Sequence, residues 1–137
     1  MGAIEVSQGP SAVGLFVCRD FIVEEDQRSV TLVRCLDRVR LKEFPSTPQS
    51  FIVYSVLTDG VGSLPFDLIV TRLETLEEIY SRSWISTLND PLAKTHLRLR
   101  VRSCSFPYPG RYEVARDVKG DRVAQCVLTV HSEEGQR

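Results

Sequence analysis

The chain has 137 residues, 42% hydrophobic and 26% charged, a balance that suits one globular domain with one core and excludes a disordered or fibrous chain. With 17 Lys and Arg against 18 Asp and Glu, the formal net charge is −1, so the global positive excess typical of nucleic-acid and acidic-membrane binders is missing. The longest apolar runs, such as "VGLFVC" and "FIVY", fall far short of the roughly 20 residues of a spanning helix.

The start, "MGAIEVSQGPSAVG", has no basic segment followed by an apolar stretch, and Val6 stands where a myristoylation pattern wants Ser or Thr. The expected location is cytoplasmic. Residues 1–12 read as a flexible lead-in, 13–131 as a single domain and 132–137 as a flexible tail.

Period-two alternation then runs along the chain, broken by turn residues. "VGLFVCR" (13–19) reads as a buried strand. "FIVEEDQRSVTLVRCL" (21–36) reads as two strands around a polar tip at Glu24–Arg28. "DRVRLKEFPSTPQS" (37–50) is an irregular connection with a short edge strand at Val39–Leu41. "SFIVYSVLTDG" (50–60) and "LPFDLIVTRLE" (64–74) read as strands joined in a hairpin by the Gly-rich "TDGVGS". "TLEEIYSRSWIST" (75–87) fits a helix face through Leu76, Ile79, Tyr80 and Ser83, but its Trp, Ile, Ser and Thr favour a strand, as do its neighbours. "THLRLRVRSCSF" (95–106) is the cleanest alternation. "RYEVARDV" and "RVAQCVLTV" form a closing hairpin around "KGD". Seven to nine short strands at this spacing imply an all-β, two-sheet antiparallel sandwich.

Arg98, Arg100 and Arg102 project from one side of their strand, suited to a phosphate backbone or an acidic partner. A structural account competes. If "SFPYPG" (105–110) links two paired strands with Cys104 opposite Arg111, then Arg102 falls near Glu113 and Arg98 near Asp117, and the row neutralises itself. Tyr108, between two prolines, belongs either at an exposed loop tip able to anchor a partner or packed over the end of the sheets. Trp84 and Tyr80 read as packing residues.

The acidic residues of the turns, Asp20, Glu24, Glu25, Asp26, Asp59, Asp90, Asp117 and Asp121, show no D-x-D-x-D pattern and read as solvated, so no metal is expected. Cys18, Cys35, Cys104 and Cys126 lack C-x-x-C or zinc spacing and read as free thiols. His131 falls in the fraying tail and His96 at a strand start. No nucleophile elbow, metalloprotease motif or phosphate loop occurs. A Cys104–His96 dyad is the one catalytic arrangement left open. No catalytic residue and no cofactor are expected.

The segments "VCRDFIVEEDQRSVTLVRCLDRVR", "FPSTPQSFIVYSVLTDGVG" and "CSFPYPGRYEVARDVKGDRVAQCVLTV" together resemble a family of small bacterial β-sandwich proteins of unknown function. That family shows "FP" before a strand and "FP-x-PG-x-Y" before a closing hairpin. Leu36 replaces its aromatic before Asp37, and "KGD" stands where it shows "DG". The resemblance covers roughly residues 13–131 and implies a β-sandwich without a catalytic set. "PGRYEV" with its hairpin also looks like the end of immunoglobulin-like domains. The resulting expectation is a non-catalytic interaction or accessory module that offers a sheet face or edge to another protein or to itself. Arg98, Arg100, Arg102 and Tyr108 are its candidate contacts, with neither nucleic acid nor membrane as partner. The alternatives are a calcium- or small-ligand-binding sandwich and an enzyme.

Overall fold

The structure is a computed structural model describing residues 11–25, 29–90, 92 and 94–133, with backbone alone for 11–13. The expected lead-in up to residue 10, the tail from 134 and residues 26–28 of the tip lie outside the described residues. Alternation builds nine strands: β1 (Ser11–Val23), β2 (Val30–Cys35), β3 (Arg38–Leu41), β4 (Gln49–Thr58), β5 (Gly62–Arg72), β6 (Glu77–Leu88), β7 (Thr95–Cys104), β8 (Gly110–Val118) and β9 (Asp121–Ser132). Among the described residues no helix forms. The ambiguous stretch 75–87 is a strand: Leu76 turns the chain at φ 62°, and Trp84 and Ile85 then alternate, half-buried and exposed.

The strands form a four-stranded sheet, β2-β1-β4-β7, and a five-stranded sheet, β3-β9-β8-β5-β6. Both sheets contribute to one apolar cluster. Leu15, Val17, Phe51, Val53 and Val101 come from the first, and Leu68, Val70, Tyr112, Val114 and Leu128 from the second. A smaller cluster gathers Leu57, Leu64, Phe66, Leu88 and Val118. Each large side chain fully buried this way contributes about 1.5–3 kcal/mol.

Two bulges adjust which residues reach the core. Gln49 pairs with Cys104 but Phe51 with Val101. The extra residue on β7 lets Val101 and Cys104, three positions apart, both enter the cluster. On β9, Val123 is extra between the pairs Arg116–Ala124 and Asp117–Arg122. The β8–β9 hairpin turns at Lys119 and Gly120, φ 55° and 81°. Positive φ at both central residues matches the twist of the flanking strands, as the "KGD" reading anticipates.

The structure corrects four expectations. β4 and β5 form no hairpin, because "TDGVGS" carries the chain from one sheet to the other. β7 and β8 are likewise in different sheets. A Gly- or Pro-rich turn permits a crossing as readily as a fold-back, and the "SFPYPG" crossing is held by the core itself. Phe106 is buried edge-on to Tyr112, their centroids 4.9 Å apart. Phe106 N donates to Ser46 Oγ, and Ser46 N donates to the Phe106 carbonyl, each at 2.9 Å. Pairing is not wholly antiparallel: β3 lies parallel to β9, and Thr129 N donates to Asp37 O. His131, expected in a frayed tail, stands in β9 opposite Arg40.

Candidate basic face of the four-stranded sheet

The period-two reading of "HLRLRVR" holds. Leu97, Leu99 and Val101 face inward, while Arg98, Arg100 and Arg102 are exposed on the other side of edge strand β7. What fails is their neutralisation. With β8 in the other sheet, Arg98 is opposite Tyr54 and Arg100 opposite Ile52 on β4, a strand with no acidic residue. Arg98 instead lies over the Phe21 ring, 5.1 Å from its centroid, a contact worth about 0.5–1 kcal/mol at an exposed site. Arg100 stands 3.7 Å from Asp20, both well exposed, a geometry of small energetic weight. Among the described residues Arg102 has no ion pair.

Beneath these cations the outward side is apolar. Ile52 and Cys18, cross-strand neighbours, are fully buried although they point away from the shared core. Tyr54, beside Phe16, is buried except for 6% and its hydroxyl contacts His96 Nδ1. Burial raises the Tyr54 phenol, and Arg98 opposes the shift. Phe16 remains 48% exposed beside this row.

The acids once matched to the arginines have another partner. On the five-stranded sheet, Arg122 donates from Nε to Asp117 at 2.6 Å and from Nη1 to Glu113 at 2.7 Å. Asp117 also faces Asp67 across β5. Arg122 on one side and the Ser83 hydroxyl on Asp67 offset that like-charge pair. Tyr108, in the loop that crosses from β7 to β8, packs against this sheet rather than the arginine row. It is 54% exposed under the Arg72 guanidinium, which lies 4.4 Å from its ring centre. The four candidate contacts therefore do not form one surface.

The Cys104–His96 dyad does not form. Cys104 faces the core, where burial pushes its thiol up to about 12, while His96 is exposed on the other side of β7 and meets the Tyr54 hydroxyl. Burial likewise raises Cys126 to about 11. The calcium alternative finds no donor set: among the described residues, no three His, Cys, Asp or Glu converge to hold an ion. No described helix is long and apolar enough to cross a membrane.

One residue escaped the sequence reading. Arg116 is wholly buried, with no hydrogen-bond partner among the described residues for Nε, Nη1 or Nη2. Its guanidinium sits 5.2 Å from the Trp84 ring centre, and burial lowers its pKa to about 10. The signal was parity: Arg116 alternates with Tyr112, Val114 and Val118.

No family model and no curated protein matches the chain. Among solved structures it is similar to the Pseudomonas fluorescens alkylpurine DNA glycosylase AlkC bound to DNA containing an abasic site analog. The identity is 16% and the TM-score 0.49, over 69% of this chain and 27% of that one. The chain thus spans about a quarter of that enzyme's length. The expected non-catalytic protein-binding module that excludes nucleic acid is withdrawn, the similar structure being a glycosylase bound to DNA, and nothing of that enzyme's activity is carried over to this chain. What this chain binds has to be argued from its own residues.

Proposed function

We propose that the two sheets pack as an immunoglobulin-like sandwich whose four-stranded face binds the phosphate backbone of nucleic acid. Three features support the build. Both sheets feed one apolar cluster. The orders β9-β8-β5-β6 and β4-β7 read as G-F-C-C′ and B-E. Tyr112, near the start of β8, donates its hydroxyl to the Tyr108 carbonyl at 2.6 Å, the corner that such domains place at that strand.

The observation that carries the binding role is the separation of β7 from β8, which leaves the arginine row facing an acid-free strand. Alternate strand residues are about 6.5–7 Å apart, close to twice the ~3.4 Å axial rise per phosphate of one duplex strand. Each contact releases condensed counterions, so binding should weaken steeply with salt. Phe16 offers a ring on which an unpaired base can stack. A net charge of −1 makes the attraction local to this face.

Fluorescence anisotropy of labelled single-stranded and duplex DNA, across a salt series, tests the reading. Wild-type protein should bind with a negative salt slope, and R98Q/R100Q/R102Q should lower its magnitude by about 3. Failure of the wild type to bind at low salt, or the same slope in the triple variant, refutes it.

A further inference from the structure

Arg116 is hard to explain as a packing residue. Among the described residues it is the largest fully buried side chain, and none of its three guanidinium nitrogens has a hydrogen-bond partner there. Among the described residues no salt bridge reaches it. An uncompensated buried charge is among the costliest groups a core can hold, and a well-packed apolar side chain of similar volume is often at least as stable. A second orphan lies in the opposite sheet. Ser55 is fully buried on β4, and its Oγ is also unpartnered. Along its own strand each stands where one apolar cluster gives way to the other. Ser55 lies between Val53 of one and Leu57 of the other, and Arg116 between Val114 and Val118, again one of each. The two orphans are thus a cation with a planar fork of donors and a hydroxyl, each pointing into an otherwise apolar interior.

The surroundings select the chemistry. Arg matches a carboxylate with two parallel N–H donors, and a hydroxyl adds a third bond, nearly filling the acceptor sites of a carboxylate. A phosphate monoester brings more charge and more lone pairs than one Arg and one Ser can satisfy, so its desolvation would go uncompensated. The leucines and valines alongside suit an aliphatic or aromatic tail. Access follows from the topology. β6 and β7 are edge strands of their sheets and approach each other, and Trp84, Leu97 and Leu99 are half-buried there. The guanidinium lies against the Trp84 ring, on edge strand β6.

We infer that Arg116 and Ser55 form a binding site for a small monocarboxylate with an apolar tail, entered between β6 and β7. This site is independent of the arginine row on β7.

Thermal melts of the full chain with hexanoate or benzoate test it, against inorganic phosphate and chloride at matched ionic strength. At a hundredfold excess over Kd, a carboxylate should raise the wild-type Tm by roughly 5–10 °C, with S55A showing a smaller rise. R116M should be at least as stable as wild type without ligand and show no carboxylate-dependent rise. If R116M does not fold, the Arg116 Nε–Hε NMR signal of the wild type should still shift on titration with hexanoate and not with phosphate. No Tm rise and no shift of that signal, an equal rise in R116M, or a rise with phosphate alone overturns the assignment.

Discussion

The outward sides of the two sheets solve the same problem in opposite ways. On the five-stranded sheet one cation, Arg122, serves two carboxylates, Asp117 and Glu113, at 2.6 and 2.7 Å. On the four-stranded sheet Arg100 alone has an acid, Asp20 at 3.7 Å, while Arg98 lies over the Phe21 ring and Arg102 has no ion pair among the described residues. Both arrangements trace to one topological fact. β8, which carries the acids, is joined to β7, which carries the arginines, by a crossing between sheets rather than a fold-back. Charges near one another in sequence are thereby divided into a satisfied surface and an available one.

The strongest way to break this contrast is to invert the available surface. R98E/R100E/R102E should weaken nucleic-acid binding about 100-fold or more at low salt, with the far-UV spectrum unchanged. R122E should leave that affinity intact.

Alkaline pH tests the core beneath both faces. Burial raises Cys104 to about 12 and Cys126 to about 11 from the ordinary 9. The folded chain therefore holds these protons where the unfolded chain loses them. Their contribution is complete below pH 9 and is lost as pH rises through 11 and then 12, on the order of a few kcal/mol in all. Arg116, lowered by burial to about 10 from 12.5, acts in the opposite direction, since stability rises where the unfolded state alone keeps its proton. Urea titrations from pH 8 to 11 should show net weakening in wild type and a flatter profile in C104V/C126V.

Smaller effects sharpen the comparison. R122A leaves Glu113 and Asp117 close together without their cation and should cost about 1 kcal/mol by urea denaturation, whereas R102A should change stability by no more than about 0.5 kcal/mol. D20N should be smaller still in stability, and by removing the acid nearest the row it should tighten DNA binding by about 2-fold.

The strands and their inward sides were legible because alternation reports burial directly: Leu97, Leu99 and Val101 against Arg98, Arg100 and Arg102, or Leu64, Phe66, Leu68 and Val70 on β5. Strand partners were not legible at two joints. "TDGVGS" and "SFPYPG" carry the same turn chemistry whether the chain reverses within a sheet or passes to the next, and the decision rests on remote contacts such as Ser46 with Phe106. The candidate site suffered from that error twice. Glu113 and Asp117 were matched to the wrong cations, and Tyr108 was joined to a surface it does not share. Arg116 was visible in principle, since the parity of "YEVARDV" places it with Tyr112 and Val114, but an arginine in a core position runs against every compositional expectation.

The pairing of β3 with β9 has a consequence for how the protein is made. Arg38 finds its neighbour in Thr129, so β3 emerges from the ribosome well before the strand it pairs with, β9, is synthesised. The five-stranded layer closes only once β9 is available, and its assembly belongs with the slower, long-range class of folding reactions.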